Sequence, residues 1–176
     1  MGRLIATTQA TLDGVIDPVG PWVQPGGDHG EYSFERQDAS AGLVLGRKTY
    51  EGLAGFWPNE TGPWADMVNG MRKWVGSRSL AGELEWNATA LEGELEESIP
   101  KLKSKVDGDL FMHGSGEFAY SLAERNLIDV YEIYLNPLVW GDANLHVLGD
   151  RGTVRMQLED VKRFDSGVVL LTYLPA

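Results

Sequence analysis

Residues 42–49, Gly42-Leu43-Val44-Leu45-Gly46-Arg47-Lys48-Thr49, decide the expected fold because they join a buried strand to a helix. An apolar run between two glycines is typical of a strand that is covered on both faces of a sheet. The pattern then predicts a helix over residues 47–54, directly after Gly46. Cations and a hydroxyl beside the free N–H groups at a helix start favour a bound anion. The candidate phosphate site at this turn comprises Gly46, Arg47, Lys48 and Thr49, and a solvated basic turn is the alternative.

A second strand-to-helix turn, Gly114-Ser115-Gly116-Glu117-Phe118-Ala119, lies between a predicted strand over residues 109–113 and a predicted helix over residues 117–125. This arrangement directs backbone N–H groups and a helix start at an anion. The spacing also matches the Gly-x-Gly-x-x-Gly/Ala fingerprint of Rossmann domains. A Rossmann unit places that turn after its first strand, however, whereas mainly β structure follows it here. The candidate residues are Gly114, Ser115, Gly116 and Glu117, and a tight glycine turn without a ligand is the alternative.

A third turn, Ser77-Arg78-Ser79, follows a short predicted strand over residues 73–77 and again pairs a cation with hydroxyl groups. An ordinary surface turn is the alternative interpretation. Three strand ends with anion-binding chemistry in one sheet indicate a ligand that carries several phosphates and lies across the carboxyl edge. A dinucleotide fits that description.

The remaining segments predict one α/β domain over residues 1–176. A strand over residues 3–8 precedes a long Gly-, Pro- and Asp-rich loop over residues 9–30, and a helix over residues 31–41 follows. Apolar spacings predict an amphipathic helix over residues 94–105, with a kink or an early end at Pro100. Further strands are predicted at residues 85–90, 130–138, 153–164 and 168–174. This order predicts a mostly parallel central sheet with antiparallel C-terminal strands and flanking helices.

Composition limits the possible functions. The chain has 176 residues, which suffice for one domain, and no cysteine, which excludes disulfides and thiolate metal sites. Its net charge of -11 disfavours nucleic acid as a partner. No apolar run approaches the roughly 20 residues of a membrane span, so we expect a cytoplasmic protein without a membrane partner. The histidines, His29, His113 and His146, lack metal-ligand spacing, and we expect no metal site.

One longer stretch, Leu43-Val44-Leu45-Gly46-Arg47-Lys48-Thr49-Tyr50-Glu51, resembles the Gly-Arg-x-Thr-x-Glu segment of dihydrofolate reductases and their relatives. Further pieces occur in family order: Leu12-Asp13-Gly14-Val15-Ile16, Val75-Gly76-Ser77-Arg78, His113-Gly114-Ser115-Gly116, and Leu127-Ile128-Asp129-Val130-Tyr131-Glu132-Ile133-Tyr134 with Pro137 and Gly141-Asp142. The resemblance spans nearly the whole chain. The Leu-Asp-Gly form of the first loop is most similar to the reductase domain of riboflavin biosynthesis, the RibD C-terminal domain, and its small stand-alone relatives. The implied architecture is the dihydrofolate-reductase-like three-layer α/β fold.

The resemblance also implies NADPH as the cofactor and direct hydride transfer from the nicotinamide to a bound heterocycle. It places Arg47, Lys48 and Thr49 near the cofactor phosphates. Ser77 and Arg78 would lie near the ribose 2′-phosphate, and residues 114–117 along the pyrophosphate. Ala6 and Ile16 would border the nicotinamide. Asp13 is the candidate catalytic residue near the substrate, and an Asp-Gly turn is its alternative interpretation.

The candidate substrate-binding residues are Trp22, Asp28 and Trp57. One tryptophan of the loops near the expected cleft, at position 22, 57 or 64, is expected to stack on the substrate ring. The chain departs from dihydrofolate reductases because the acids that follow Pro21-Trp22 do not fall in matching register. It departs from the riboflavin-pathway reductases because residues 9–30 contain no Lys or Arg to meet a ribose phosphate. His113 also stands where the superfamily commonly has glycine.

We therefore expect an NADPH-dependent reductase of a small heterocyclic substrate, such as a riboflavin-pathway pyrimidine or a pterin-like compound. A homodimer through the β-rich C-terminal part is expected as well. The alternatives are a non-catalytic nucleotide- or ligand-binding module that keeps the fold, and an interaction protein without a cofactor.

Overall fold

The elements follow from a computed structural model that describes residues 2–17, 20–23, 26–114, 116–141, 145–147 and 152–176. The strands are β1 Leu4–Thr11, β2 Val15–Asp17, β3 Gly42–Gly46, β4 Lys73–Gly76, β5 Glu83–Leu84, β6 Ala88–Ala90, β7 Leu110–His113, β8 Val130–Asn136, β9 Leu145–His146, β10 Met156–Arg163 and β11 Val169–Pro175. The helices are α1 Gly27–Asp38, α2 Arg47–Phe56, α3 Pro63–Gly70, α4 Leu95–Lys105 and α5 Glu117–Ala123, with a 3₁₀ turn at Trp57–Asn59.

Within the described residues, nine strands form one sheet in the order β10-β11-β8-β1-β7-β3-β4-β6-β5. The pairs from β8 through β6 are parallel. Antiparallel pairs occur at the two sides, where β11 lies between β8 and β10 and where β5 follows β6. The predicted mostly parallel sheet with antiparallel C-terminal strands is therefore confirmed. A separate small sheet pairs β2 with β9.

Alternating side chains of the central strands pack on two different layers of helices. Leu4, Leu110 and Met112 belong to one apolar cluster, which also contains Ile99 and Leu102 of α4 and Ala119 and Leu122 of α5. Ile5, Leu43 and Phe111 belong to a second cluster with Tyr50 of α2 and Met67 and Val68 of α3, and Phe34 of α1 packs against it. The sheet thus lies between two helical layers, which confirms the predicted three-layer architecture.

Several predicted boundaries were wrong for identifiable reasons. Strand β1 continues to Thr11 because it pairs with β8 as far as Asn136. Helix α1 begins at Gly27 and ends at Asp38, since the N–H of Ala41 already bonds to the carbonyl of Asp109 at 2.8 Å. Helix α4, Leu95–Lys105, agrees with its predicted bounds to within one residue, and only the early end at Pro100 was wrong.

Two further differences concern segments around the sheet edge. Residues 85–87 form a turn between β5 and β6, with Trp86 and Asn87 at positive φ, where a continuous strand was predicted. Helix α3 was not predicted, although it buries Ala65, Met67 and Val68. In the part of the chain that the structure describes, no helix is long and apolar enough to cross a membrane. The same residues contain no group of His, Asp and Glu side chains placed to hold a metal ion.

Candidate active site

A cleft of about 1680 Å³ lies at the carboxyl edge of the sheet. Strands β7, β3 and β4 are consecutive neighbours and run parallel, so the turns that follow them meet at this edge. The cleft lining includes Gly46, Arg47, Lys48, Thr49, Gly76, Ser77, Arg78, Ser79, Gly114, Gly116 and Glu117. The structure therefore brings the three sequence-predicted turns together. Ser115 lies outside the described residues.

Glycines at the ends of β3 and β4 let helix α5 approach the sheet closely. Gly46 and Gly76 are register partners in adjacent strands. An ideal Cβ on Gly46 would lie 2.7 Å from Cβ of Phe118, and one on Gly76 would lie 2.2 Å from Cε2 of the same ring. Phe118, in the first turn of α5, therefore occupies the space that side chains at both positions would need.

The turns after β3 and β4 are joined by a side-chain bridge. Arg47 donates from Nε to Glu51 Oε1 over 2.6 Å and from Nη1 to Ser79 Oγ over 2.8 Å. The hydroxyl of Ser77 accepts hydrogen bonds from the backbone N–H groups of Ser79 and Leu80, over 3.2 and 3.1 Å. The turn after β4 is thus held in shape by Ser77 and fixed to α2 by Arg47.

Two cations of these turns are available to a ligand. Lys48 and Arg78 are exposed and line the cleft. Among the described residues, no ion pair involves either of them. Arg125, at another side of the cleft, is instead paired with Glu96 over 2.9 Å and with Glu124 over 3.2 Å. Lys48 and Arg78 are the cations that an anion could approach without displacing a carboxylate.

The turn after β7 lies beside the start of α2. Gly114 has φ of 86°, a conformation that side-chain-bearing residues rarely adopt. An ideal Cβ on Gly114 would lie 3.7 Å from Oγ1 of Thr49. The backbone of this turn and the hydroxyl of Thr49 therefore adjoin one another. We call the part of the cleft formed by the turns after β3, β4 and β7 the turn half.

A second part of the lining, which we call the aromatic half, comprises Thr7, Thr8, Gln9, Ile16, Asp17, Val23, Ser33, Gln37, Leu53, Trp57, Trp64 and His113. Residues 91, 93–96, 112, 118, 119, 121 and 125 complete the described lining. Trp57 packs edge-on against Phe56 with ring centroids 5.2 Å apart, and Trp64 packs edge-on against Phe34 at the same separation. Two of the three loop tryptophans singled out in the sequence, Trp57 and Trp64, thus line the cleft.

A hydrogen-bonded array in the aromatic half was not found by sequence reasoning. His113 Nε2 lies 2.6 Å from Gln37 Oε1, and Gln37 Nε2 donates to Ser33 Oγ over 2.9 Å. Burial lowers the pKa of His113 to about 4, so its imidazole is neutral near pH 7. Ser33 and Gln37 are four residues apart and share one face of α1. Both residues lie within the helix predicted over residues 31–41, so the spacing was a usable signal. It was missed because a polar helix face is typical of a solvent-exposed one.

Asp13 is exposed and does not belong to the cleft lining. Its carboxylate accepts hydrogen bonds from Thr11 Oγ1 at 2.5 Å and from the backbone N–H groups of Trp140 at 3.1 Å and Gly141 at 2.9 Å. These bonds, that of Thr11 first, lower the pKa of Asp13 to about 2. The described contacts fit the alternative of an Asp-Gly turn that holds residues 140 and 141. A catalytic role for Asp13 stays a prediction.

Three other predicted residues also lie outside the lining. Asp28 accepts hydrogen bonds from the backbone N–H groups of Asp165 at 2.6 Å and Ser166 at 3.3 Å, which ties α1 to the β10–β11 turn. Trp22 is buried, and its indole N–H has no partner among the described residues. Ala6 is buried in β1, directly before the lining residue Thr7. Ile16 does line the cleft.

The sheet order, the two helical layers and the cleft at the carboxyl edge define an α/β protein of the dihydrofolate-reductase-like class. The model of the RibD C-terminal domain family matches residues 3–170, and the chain belongs to that family. Membership gives the chain a reductase-like role.

Individual proteins are similar to this chain over nearly its whole length. The uncharacterized protein YyaP of Bacillus subtilis is 23% identical over an alignment of 186 positions, which covers 97% of this chain and 94% of that protein. A structure from a Shewanella species, named as a candidate riboflavin biosynthesis protein, has a TM-score of 0.72 at 19% identity and 99% coverage of both chains. A pyrimidine reductase-like protein of Corynebacterium diphtheriae has a TM-score of 0.69 at 11% identity, covering 99% of this chain and 92% of that chain. At these identities the two structures are similar to this chain in fold.

Proposed function

We propose that this protein is an NADPH-dependent reductase that transfers a hydride to a small heterocyclic substrate. The observation that carries the proposal is the division of one continuous cleft into two chemically different halves. The turn half holds cations and hydroxyl groups, whereas the aromatic half holds tryptophans, uncharged polar groups and one carboxylate, that of Asp17. A phosphate-bearing dinucleotide suits the first half, and a planar ring suits the second.

The donors of the turn half fit the phosphates of NADPH. In a protein with a net charge of -11, the turn half carries three cations, Arg47, Lys48 and Arg78, against one carboxylate, that of Glu117. Such a local concentration of positive charge attracts a polyanion that the rest of the surface repels. The contacts of Arg47 and Ser77 also hold their turns in place before any ligand binds.

The predicted cofactor residues other than Gly46 have direct roles in this proposal. Arg47, Lys48 and Thr49 would hold phosphates of the cofactor, and Ser77 and Arg78 would hold the ribose 2′-phosphate. The backbone of residues 114–117 would follow the pyrophosphate, while Ala6 and Ile16 would border the nicotinamide. When bound there, the reduced nicotinamide supplies the hydride.

The protein contributes alignment and a partly dry pocket rather than a nucleophile. Trp57 and Trp64 form apolar walls of the aromatic half, against which a planar ring can stack. His113, neutral near pH 7, and Gln37 offer hydrogen bonds that fix the orientation of the ring without adding charge. The substrates that we propose are a riboflavin-pathway pyrimidine or a pterin-like compound. Asp13 remains the proposed catalytic residue, and a cytoplasmic homodimer through the β-rich C-terminal part completes the proposal.

The decisive experiment is a titration of the purified protein with NADPH and with NADH. Tryptophan fluorescence and energy transfer to the reduced nicotinamide report binding, because Trp57 and Trp64 line the cleft. We expect saturable binding with NADPH preferred. Absence of affinity for both dinucleotides would refute the proposal. Binding of NADPH without its oxidation by any member of a broad substrate panel would instead favour a non-catalytic nucleotide-binding module.

A further inference from the structure

We propose that Ser33, Gln37 and His113 form the specificity element of the aromatic half, and that they select an electrically neutral planar heterocycle that carries no phosphate. The inference rests on the proposed function, because it concerns the compound that would receive the hydride. It narrows the substrate class to rings with an uncharged hydrogen-bonding edge, such as a lactam. Of the two proposed substrates, it therefore favours the pterin-like compound over a riboflavin-pathway pyrimidine that carries a ribose phosphate.

The array is fixed before a ligand arrives. Gln37 is buried, with 4% of its surface exposed, and both ends of its amide are engaged. Its Oε1 faces His113 Nε2 and its Nε2 donates to Ser33 Oγ. Because Gln37 Oε1 can only accept, the proton of the neutral imidazole sits on Nε2 and the other ring nitrogen is an acceptor. The Ser33 hydroxyl also hydrogen-bonds the buried Tyr134 hydroxyl. The groups left for a ligand are therefore the second amide N–H of Gln37 and the acceptor nitrogen of His113, a donor and an acceptor as a lactam edge requires.

The charges around the array disfavour an anionic substrate. The described cations of the cleft lining, Arg47, Lys48, Arg78 and Arg125, all lie outside the aromatic half. In the described lining of that half, the charged side chain is the carboxylate of Asp17. A phosphate bound there would meet like charge without a compensating cation, and would lose its hydration.

Arg36, the basic residue in the last turn of α1, already makes contacts that keep it from binding a phosphate. Arg36 is paired with the buried carboxylate of Glu132, and its guanidinium lies over the rings of Tyr32 and Phe111, 5.4 and 5.5 Å from their centroids. Oε2 of Glu132 is buried without a partner among the described residues. Removing Arg36 from this site to serve a phosphate would leave a buried carboxylate uncompensated. Arg36 is therefore no phosphate ligand.

The test uses matched pairs of lactam heterocycles: uridine with uridine 5′-phosphate, and riboflavin with riboflavin 5′-phosphate. Each compound is titrated calorimetrically into the full-length protein, with and without saturating NADP⁺. In at least one pair, we expect the Kd of the neutral member to be about tenfold or more below the Kd of its phosphorylated partner. Equal or tighter binding of the phosphorylated members would overturn the inference, and so would failure of both neutral members to bind at millimolar concentration. Failure of the proposed function is distinguishable, because it appears as missing NADP⁺ and NADPH binding.

Variants assign the selectivity to the array. We expect Gln37→Glu to lower the affinity for the neutral ligand about tenfold or more, because the substitution adds a charge and removes the amide donor. Gln157→Glu, the same exchange at an exposed position of β10, should bind like the unmodified protein. Should Gln37→Glu fail to fold, Thr8→Lys provides a gain-of-binding test, since Thr8 lines the aromatic half and is half-buried. The new cation should reduce the difference in affinity between the neutral and the phosphorylated member of each pair. An unchanged difference in affinity would contradict the inference.

Discussion

The ring of Phe118 occupies the position at which a side chain of residue 76 would begin. An ideal Cβ on Gly76 would lie 2.2 Å from Cε2 and 2.4 Å from Cζ of this ring. These atoms belong to a rigid ring that also packs against Gly46. The contact sets the distance between α5 and the ends of β3 and β4, and with it the width of the turn half.

We expect Gly76→Ala to destabilise the protein by about 1–3 kcal/mol, because a methyl group must displace a packed ring. NADPH affinity should fall as well, since the turns after β4 and β7 move apart. Urea unfolding and NADPH titration measure the two effects. Gly52→Ala is the matched control, because a Cβ there meets nothing within 4 Å and helix α2 should gain up to about 1 kcal/mol. A Gly76→Ala protein as stable as the unmodified one would show that α5 is not positioned by this contact.

Arg78 provides a test of cofactor preference. Its side chain is exposed at the cleft and free of ion pairs with other described residues. If Arg78 holds the 2′-phosphate, Arg78→Ala should raise the Kd for NADPH about tenfold or more and leave the Kd for NADH within about twofold. Fluorescence titration gives both constants. Arg163→Ala, an exposed arginine of β10, serves as the charge control. Equal losses for both dinucleotides would remove the assigned 2′-phosphate role.

The sequence was sufficient for those parts of the site that are local in the chain. Residues 42–49 predicted both β3 and the start of α2, because an apolar run and a helix start adjoin there. The three turns could be placed at one edge because parallel strands end at the same side of a sheet. At these positions the secondary structure predicted from the local sequence agrees with the observed order of the strands in the sheet.

Sequence reasoning could not find contacts between distant residues. His113 and Gln37 are separated by 76 positions, and Asp28 and Asp165 by 137. A polar helix face such as that of Ser33 and Gln37 reads as solvent-exposed until the neighbouring strand is known. The described bonds of Asp28 to the β10–β11 turn are of this kind, and its predicted role in substrate binding stays a prediction.

His113 predicts a specific pH dependence of stability. Burial lowers its pKa from the ordinary 6.5 to about 4 in the folded protein. Between these values the unfolded chain binds one more proton, so stability is complete above about pH 6.5 and declines as the pH falls toward 4. Because the ring is partly accessible from the cleft, we expect a loss of about 1–2 kcal/mol between about pH 7 and pH 5. Urea unfolding at several pH values measures it.

A variant identifies the residue behind that slope. His113→Asn should flatten the decline between neutral pH and about pH 5, since it removes the group that must be protonated on unfolding. His146→Asn, which changes an exposed histidine outside the cleft lining, controls for the loss of one imidazole. An unchanged slope in His113→Asn would show that other groups cause the decline.

A substitution of Asp13 tests whether its carboxylate has a structural or a catalytic role. Its hydrogen bonds from Thr11 and from the backbone of Trp140 and Gly141 lower its pKa from 3.8 to about 2. Stabilisation by these bonds is therefore present above about pH 4 and is lost as the pH falls through about 2. We expect Asp13→Asn to unfold at lower temperature than the unmodified protein at neutral pH and to lose this acid limb of the stability profile.

Asp38→Asn, which neutralises an exposed carboxylate at the end of α1, controls for the removed charge. NADPH affinity should change little, because Asp13 lies outside the cleft lining. Loss of turnover at unchanged melting temperature would instead support the predicted catalytic role, since a residue that only holds residues 140 and 141 would affect stability first.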